Sequence, residues 1–144
     1  MRPTAQHDAA APTGAATAKI VVGACAASAG AHAGLVAEHM REAAPLGVAF
    51  VVATGLLLAA ATALAMSPES VRAARAAALL LAGLVAFYAA SRSTGIPLLE
   101  PHAEPVDAVG VTTKLIEALG LVLALRLSRP MSDRRSPLTQ EVAP

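Results

Sequence analysis

Four long apolar stretches alternate with short polar segments along the chain, at about residues 18–40, 47–66, 74–91 and 106–127. A helix needs about 20 mostly apolar residues to cross the hydrocarbon core of a bilayer, so each stretch predicts a membrane-spanning helix. The abundant alanine favours helices over strands. A membrane barrel would require apolar and polar positions to alternate, and the sequence lacks this alternation. The pattern predicts an all-α membrane protein, a bundle of four transmembrane helices with short loops.

The two ends of the chain lack such stretches. Residues 1–17 are mostly Ala, Pro, Thr and Gly, and residues 129–144 contain three prolines, which prevent a long helix. We therefore expect two disordered tails that flank a transmembrane domain at residues 18–128.

The composition agrees with a membrane protein. Hydrophobic residues make up 56% of the chain and charged residues 15%, whereas an ordinary globular domain has about 25% charged residues. The expected partner is the lipid bilayer. The sequence lacks a basic block of the kind that binds nucleic acid, so no nucleic-acid partner is expected. It has a single cysteine, Cys25, which excludes an internal disulfide.

The basic residues predict an orientation in the membrane. With the N-terminus inside, eight of the 11 basic residues lie at inner segments, and Arg41, Arg92 and Lys114 lie at outer ones. Inner segments of membrane proteins carry the excess of Lys and Arg. This bias predicts a multi-pass protein of the inner (plasma) membrane with both termini in the cytoplasm.

Small residues four positions apart occur in the first and fourth stretches, at Gly30 and Gly34 and at Gly120 and Ala124. Such pairs form a flat groove where another helix can approach closely. We expect helices one and four to pack against neighbours, either within this chain or in a homo-oligomer or larger membrane complex.

Polar residues form a stripe on helix one. Cys25, His32 and His39 are spaced seven apart, and Ser28 lies one turn from Cys25. Positions seven apart drift by only about 20° around a helix, so one face carries all four side chains. His32 and His39 are about 10 Å apart along the axis, too far to bind one metal ion directly. Either they belong to a ligand site, or each bonds a carbonyl or carboxylate and joins two helices.

The segment from Arg92 to Asp107 is predicted to be an outer loop. It contains His102 and, besides Asp107, the carboxylates of Glu100 and Glu104. Imidazole together with carboxylate suits Zn²⁺ or Cu²⁺. The spacing matches no standard metal motif, and a solvated acidic loop is the alternative. The candidate metal ligands are His32, His39, Glu100, His102 and Glu104.

Lys114 and Glu117 are charged residues inside the fourth stretch, and their spacing allows them to pair across one turn. Glu117 lies about 14 Å from Arg126, near the middle of the membrane. Lys114 can extend towards water, but Glu117 must be protonated, paired or next to a wet cavity. His32 on helix one is a candidate partner for Glu117 at a similar depth. Such a contact is either a proton-relay or ligand site or an ordinary clasp between helices.

The third stretch ends in the run Phe87-Tyr88-Ala-Ala-Ser-Arg-Ser-Thr-Gly-Ile-Pro97, which is followed by Glu104-Pro105-Val106 and by Glu117 in the fourth stretch. The first stretch carries His32 and His39, and Pro45-Leu46-Gly47 leads into the second. In these features the chain resembles a group of small actinobacterial integral membrane proteins with four helices and no assigned activity. The similarity covers about residues 20–125 and implies the four-helix architecture without a mechanism.

Three functional hypotheses follow. The first is a membrane protein without enzymatic activity that holds a metal or a proton at a His/carboxylate site on its outer side. The second is a structural or accessory subunit of a larger complex, which the small size and short loops favour. The third is an oligomeric transporter component or a membrane enzyme, although no inverted repeat of the kind found in transporters is evident. No set of catalytic residues is readable.

Overall fold

The computed structural model describes residues 14–96, 102–103 and 105–129, and these residues contain four helices and no strand. The predicted four-helix, all-α architecture is confirmed, and each helix is long and apolar enough to cross a membrane. The helices are α1 (Gly14–Glu42), α2 (Ala44–Met66), α3 (Val71–Ser93) and α4 (Ala108–Leu127).

The helix ends differ from the expected ones by a few residues. α1 begins at Gly14, so residues 14–17 are helical and their assignment to a disordered tail is wrong. Thr17 is buried, which shows that this turn is packed. α3 is longer at both ends than its apolar stretch, because polar residues such as Arg72 and Ser93 continue the helix. Residues 1–13 and 130–144, the rest of the expected tails, lie outside the described residues.

Local signals explain where the helices start. The Ser70 hydroxyl accepts the backbone N–H of Ala73 at 3.2 Å and caps α3. The Asp107 carboxylate accepts the N–H of Gly110 at 2.7 Å and caps α4. Both side chains satisfy donors that the first helical turn leaves without partners. Pro45 lies in the first turn of α2, where its missing N–H costs nothing.

The four helices pack tightly at one end of the bundle. α1 packs against α2 and α4, α4 also packs against α3, and α2 and α3 share little contact. We call the tightly packed end, where α1 and α3 begin, the closed end, and the opposite end, where α2 and α4 begin, the open end. The buried apolar core is made mostly of alanine and leucine. Its members are Ala18, Val21, Cys25, Ala29, Leu57, Ala61, Leu64, Ala74, Ala77, Ala78, Leu81, Ala124 and Leu127.

The two small-residue motifs have different surroundings. A Cβ on Gly120 would lie 2.9 Å from the Cβ of Ala24 and 3.2 Å from Cδ1 of Leu81, so α4 crosses α1 closely at this point. The expected close packing of helix four is confirmed. A Cβ on Gly30 or Gly34 would meet nothing within 4 Å. Gly30 and Gly34 therefore face away from the other described helices.

Large apolar side chains cover much of the outer surface. Leu79 is 76% exposed and Leu115 is 67% exposed. Water would make such a surface costly, and a soluble monomer rarely exposes apolar patches of this extent. These side chains are covered by lipid when the four helices span a bilayer, which agrees with the predicted multi-pass membrane protein.

Candidate functional site

A fully buried carboxylate lies between α1 and α4. Glu117 has no exposed surface. The Ser28 hydroxyl on α1 donates to its Oε1 at 2.6 Å. The Lys114 ammonium on α4 donates to its Oε2 at 2.6 Å. The predicted Lys114–Glu117 pair is therefore confirmed, and both carboxylate oxygens have a charged or polar donor.

The sequence explains why these groups meet. Lys114 and Glu117 are separated by three positions, which places them on one face of α4. Gly120, three positions further on, brings α1 and α4 close together. A serine has a short side chain, so Ser28 can reach Glu117 only because the two helix axes approach closely here.

His32 is bonded to the same serine. Its Nδ1 lies 2.9 Å from the carbonyl oxygen of Ser28 and 3.4 Å from its hydroxyl oxygen. A carbonyl oxygen can only accept, so Nδ1 carries the proton and the neutral ring has its lone pair on Nε2. No described residue donates a hydrogen bond to this Nε2. The candidate contact between His32 and Glu117 is therefore indirect, because Ser28 lies between them.

His39 repeats this arrangement one heptad further along α1. Its Nδ1 lies 2.9 Å from the carbonyl oxygen of Leu35. The ring of Phe50 on α2 stacks on His39 at a centroid distance of 4.0 Å, and the His32 ring lies 5.3 Å from the same phenyl ring. Phe50 therefore holds both imidazoles against α2. Apolar periodicity did not indicate this contact, because it depends on how α1 and α2 are rotated.

Cys25 belongs to the apolar core and not to the polar site. It has no exposed surface and packs among the small core residues of the closed end. It acts as a small apolar side chain in this position. The predicted polar stripe therefore divides into a core residue, Cys25, and a polar part from Ser28 to His39.

The described residues do not form a metal centre. They contain no group of three or more His, Cys, Asp or Glu side chains that could hold a metal ion. His102 is exposed, and Glu100 and Glu104 lie outside the described residues. The five-residue metal site, with zinc or copper as its ion, therefore stays a prediction. In His32 and His39 the Nδ1 atom is bonded to a backbone carbonyl, so Nε2 is the nitrogen of each ring that could bind a metal ion.

A cavity of about 940 Å³ lies between the helices at the open end. His32 and Lys114 form part of its inner wall, and Glu38 and Glu42 lie at its outer rim. The cavity exists because α2 and α3 share little contact. The polar cluster thus lies where the packed half of the bundle gives way to the open half.

An ion pair between α3 and the start of α4 also borders the cavity. Arg92 donates to the carboxylate of Asp107 at 3.1 Å. The Arg92 guanidinium lies 4.9 Å from the ring centroid of Tyr88, and the Lys114 ammonium lies 5.6 Å from the same centroid. Sequence reasoning missed this cluster. The sequence feature that could have indicated it is the pair of opposite charges, Arg92 and Asp107, at the two ends of the loop between α3 and α4.

Comparison with protein-family models, with curated proteins and with solved structures finds no match for this chain. The resemblance to small actinobacterial membrane proteins is untested and stays a prediction.

Proposed function

We propose that the protein is a non-enzymatic, multi-pass membrane protein that binds a proton at His32 and uses it to change the contact between α1 and α4. The observation that supports this is one connected set of bonds. The Nδ1–H of His32 donates to Ser28, and Ser28 donates to the buried Glu117. The second nitrogen of His32, Nε2, belongs to a ring that lines the cavity and can accept a proton.

We infer that the open end faces the outside of the plasma membrane and that both termini are cytoplasmic. The closed end carries Lys19, Arg72, Arg75 and Arg126. Cytoplasmic ends of membrane proteins carry this excess of basic residues. In this orientation a proton from outside the cell reaches His32 through the cavity without crossing the packed core.

The proton acts through the charge that it adds. With His32 neutral, the Lys114–Glu117 pair has no net charge. Protonated His32 places a second cation beside Lys114, and Glu117 alone then balances two positive groups. Repulsion in an environment of low dielectric constant weakens the packing of α1 on α4. The other charged or titratable groups that line the cavity are Glu38, His39, Glu42, Tyr88, Arg92 and Asp107.

The test compares wild type with His32→Gln in lipid nanodiscs. We expect acidification from pH 8 to pH 5 to lower the unfolding temperature of the wild type more than that of the variant. His39→Gln is the matched control, because its ring also bonds a carbonyl four residues back but makes no hydrogen bond to Ser28, Lys114 or Glu117. Equal pH dependence in wild type and His32→Gln would rule out the proton site.

A measurement of bound metal separates the proton site from a metal site. Wild type and a His32→Ala, His39→Ala double variant are purified without added metal and analysed by mass spectrometry. We expect no stoichiometric zinc or copper in either protein. Stoichiometric metal in the wild type that is lost in the double variant would replace the proton proposal with a metal-binding function.

The outer face of α1 supports a second candidate function, that of a subunit in a homo-oligomer or larger membrane complex. Gly30 and Gly34 are exposed, with open space where a side chain would lie. Gly30→Leu with Gly34→Leu is expected to abolish crosslinking to a partner in native membranes. Gly55→Leu is the control, since Gly55 on α2 is exposed in the same way. Unchanged crosslinking in the double variant would contradict this candidate.

A further inference from the structure

We propose that the cavity at the open end binds a neutral, lipid-soluble molecule that carries a hydroxyl group, an alcohol or a phenol, whose O–H donates to Nε2 of His32. This ligand site goes beyond the proton site. It is tested at a pH where His32 is neutral, so the two proposals fail independently.

The size and walls of the cavity fit an apolar ligand. Its volume of about 940 Å³ lies near the upper end of the range of about 300–1,000 Å³ for small-molecule sites. Burial of an apolar ligand against such walls is favourable because it removes apolar surface from water. The apolar lining includes Leu35, Phe50, Ala53, Leu80, Leu84 and Phe87.

The ligand enters from the side, through the bilayer. α2 and α3 share little contact and leave the ring of helices open between them. Leu79 and Phe87 line the cavity, yet they are 76% and 41% exposed. Side chains that face both the cavity and the lipid mark an opening in the membrane plane. A molecule dissolved in lipid can therefore reach the cavity without passing through water.

The polar atoms of the inner wall favour a hydroxyl group. His32 lines the cavity, and its Nε2 has a lone pair but no hydrogen-bond donor among the described residues. An acceptor on a cavity wall can take a hydrogen bond from a ligand in the cavity, so a ligand that supplies a donor gains affinity. Lys114 also lines the cavity, and an ammonium has three protons, of which Glu117 needs one. A hydroxyl can donate to His32 and accept from Lys114.

The charges around the cavity disfavour an ionised ligand. The two cations of the lining, Lys114 and Arg92, each already contact a carboxylate. The rim adds the exposed carboxylates of Glu38 and Glu42, which repel an anion. A cationic ligand at His32 would lie beside the ammonium of Lys114. A neutral head group avoids both repulsions.

The decisive experiment compares two ligands of similar shape on the wild type in phosphatidylcholine nanodiscs at pH 8. Dodecanol has the donor proton, and dodecyl methyl ether keeps the oxygen but lacks the proton. Binding is measured by equilibrium dialysis, with uptake by empty nanodiscs subtracted. We expect the alcohol to bind about five- to tenfold more tightly, as one hydrogen bond predicts. Equal binding of the two, or tighter binding of dodecanoate or dodecylammonium, would overturn the proposal.

The His32→Phe variant links this preference to the imidazole ring. Phenylalanine keeps an aromatic ring next to Phe50 and removes both ring nitrogens, Nε2 and the Nδ1 that bonds the Ser28 carbonyl. We expect the ratio of alcohol to ether affinity to fall to about one, since the bond that set it is gone. A ratio that stays at the wild-type value in the folded variant would overturn the proposal.

A second pair of variants tests the cavity itself and does not depend on His32. Gly83 lines the cavity, and a Cβ at this position would meet nothing within 4 Å, so the side chain of Gly83→Phe can start without a clash and occupy cavity space. Gly55→Phe is the matched control on α2, with the same open surroundings but outside the cavity. We expect Gly83→Phe to lose binding of both ligands and Gly55→Phe to keep it. Binding that survives Gly83→Phe would place the ligand elsewhere and overturn the proposal.

Discussion

Ser28 on α1 donates its hydroxyl proton to Glu117 on α4 across 2.6 Å, although 89 positions separate the two residues. This bond joins the middle of α1 to the one carboxylate that lies within α4. Since Ser28 also accepts from the His32 ring at its carbonyl, it connects the cavity wall to the buried ion pair.

Replacement of Ser28 by alanine should therefore weaken the α1–α4 interface. Hydrogen bonds to charged groups contribute about 1.5–3 kcal/mol in proteins, and bonds between membrane helices average about 0.6 kcal/mol. We expect Ser28→Ala to lower the free energy of unfolding by about 1–2 kcal/mol, between these values. The measurement is reversible unfolding in mixed micelles with increasing SDS.

Ser93→Ala is the matched control, because the Ser93 hydroxyl is exposed and bonds the carbonyl of Ala89 in its own helix. Surface changes of this kind usually stay within about 0.5 kcal/mol of the wild type. A Ser28→Ala protein as stable as Ser93→Ala would show that the Ser28–Glu117 bond does not hold the two helices together.

The Lys114–Glu117 pair should respond unequally to the loss of either partner. Lys114 is 15% exposed, whereas Glu117 has no exposed surface. Lys114→Met leaves a buried carboxylate without its cation, which costs about 3–5 kcal/mol for a buried pair. Glu117→Gln leaves an ammonium that can extend towards the cavity, so we expect it to cost less. Unfolding of both variants at neutral pH, measured in the same micelles, checks this order.

A double variant, Lys114→Met with Glu117→Leu, serves as the control for this pair. Replacement of both charges by apolar groups is often neutral, because no desolvated charge remains. We expect the double variant to be more stable than Lys114→Met alone. A double variant as unstable as Lys114→Met would mean that packing, not the unbalanced charge, causes the loss.

The four helices and the Lys114–Glu117 pair could be predicted from the sequence, because each depends only on residues that are close together along the chain. Apolar length sets a span, and a spacing of three places two side chains on one helix face. The contacts between helices could not be predicted in the same way. Ser28 meets Glu117, and Phe50 meets His39, only when the rotation of each helix about its axis is known.

The end of α3 shows the same limit at a helix boundary. The apolar stretch stops at residue 91, but the helix continues to Ser93. Arg92 is part of this helical extension, and its long side chain reaches Asp107 at the start of α4. Hydropathy cannot register such a contact, since the partner lies across a loop. For the same reason, the cavity had no signal in the sequence, because it is a space between elements.

The close crossing at Gly120 gives a steric prediction. A Cβ on Gly120 would lie 2.9 Å from the Cβ of Ala24, an atom that cannot rotate away. Overpacking of this kind costs about 1–3 kcal/mol, so Gly120→Ala should destabilise the bundle although alanine favours helices. Gly30→Ala, where nothing lies within 4 Å, is the control and should be neutral or stabilising. The same loss of stability at both glycines would contradict the close crossing.

Asp107 contributes to stability in two ways that substitution can separate. Its carboxylate caps α4 through the N–H of Gly110 and pairs with Arg92 at the end of α3. Asparagine is as good an N-cap as aspartate but has no charge, so Asp107→Asn removes only the ion pair, a loss of about 0–1 kcal/mol for a half-exposed group. Asp107→Ala also removes the cap, which is expected to cost about 1 kcal/mol more.

Thermal unfolding of the wild type and the two variants, in low-salt buffer and in NaCl at roughly tenfold higher ionic strength (about 0.5 M), separates the two contributions of Asp107. Salt screens the ion pair and not the cap. If salt destabilises Asp107→Asn as much as the wild type, the Arg92 contact contributes nothing, and the start of α4 is held by its cap alone.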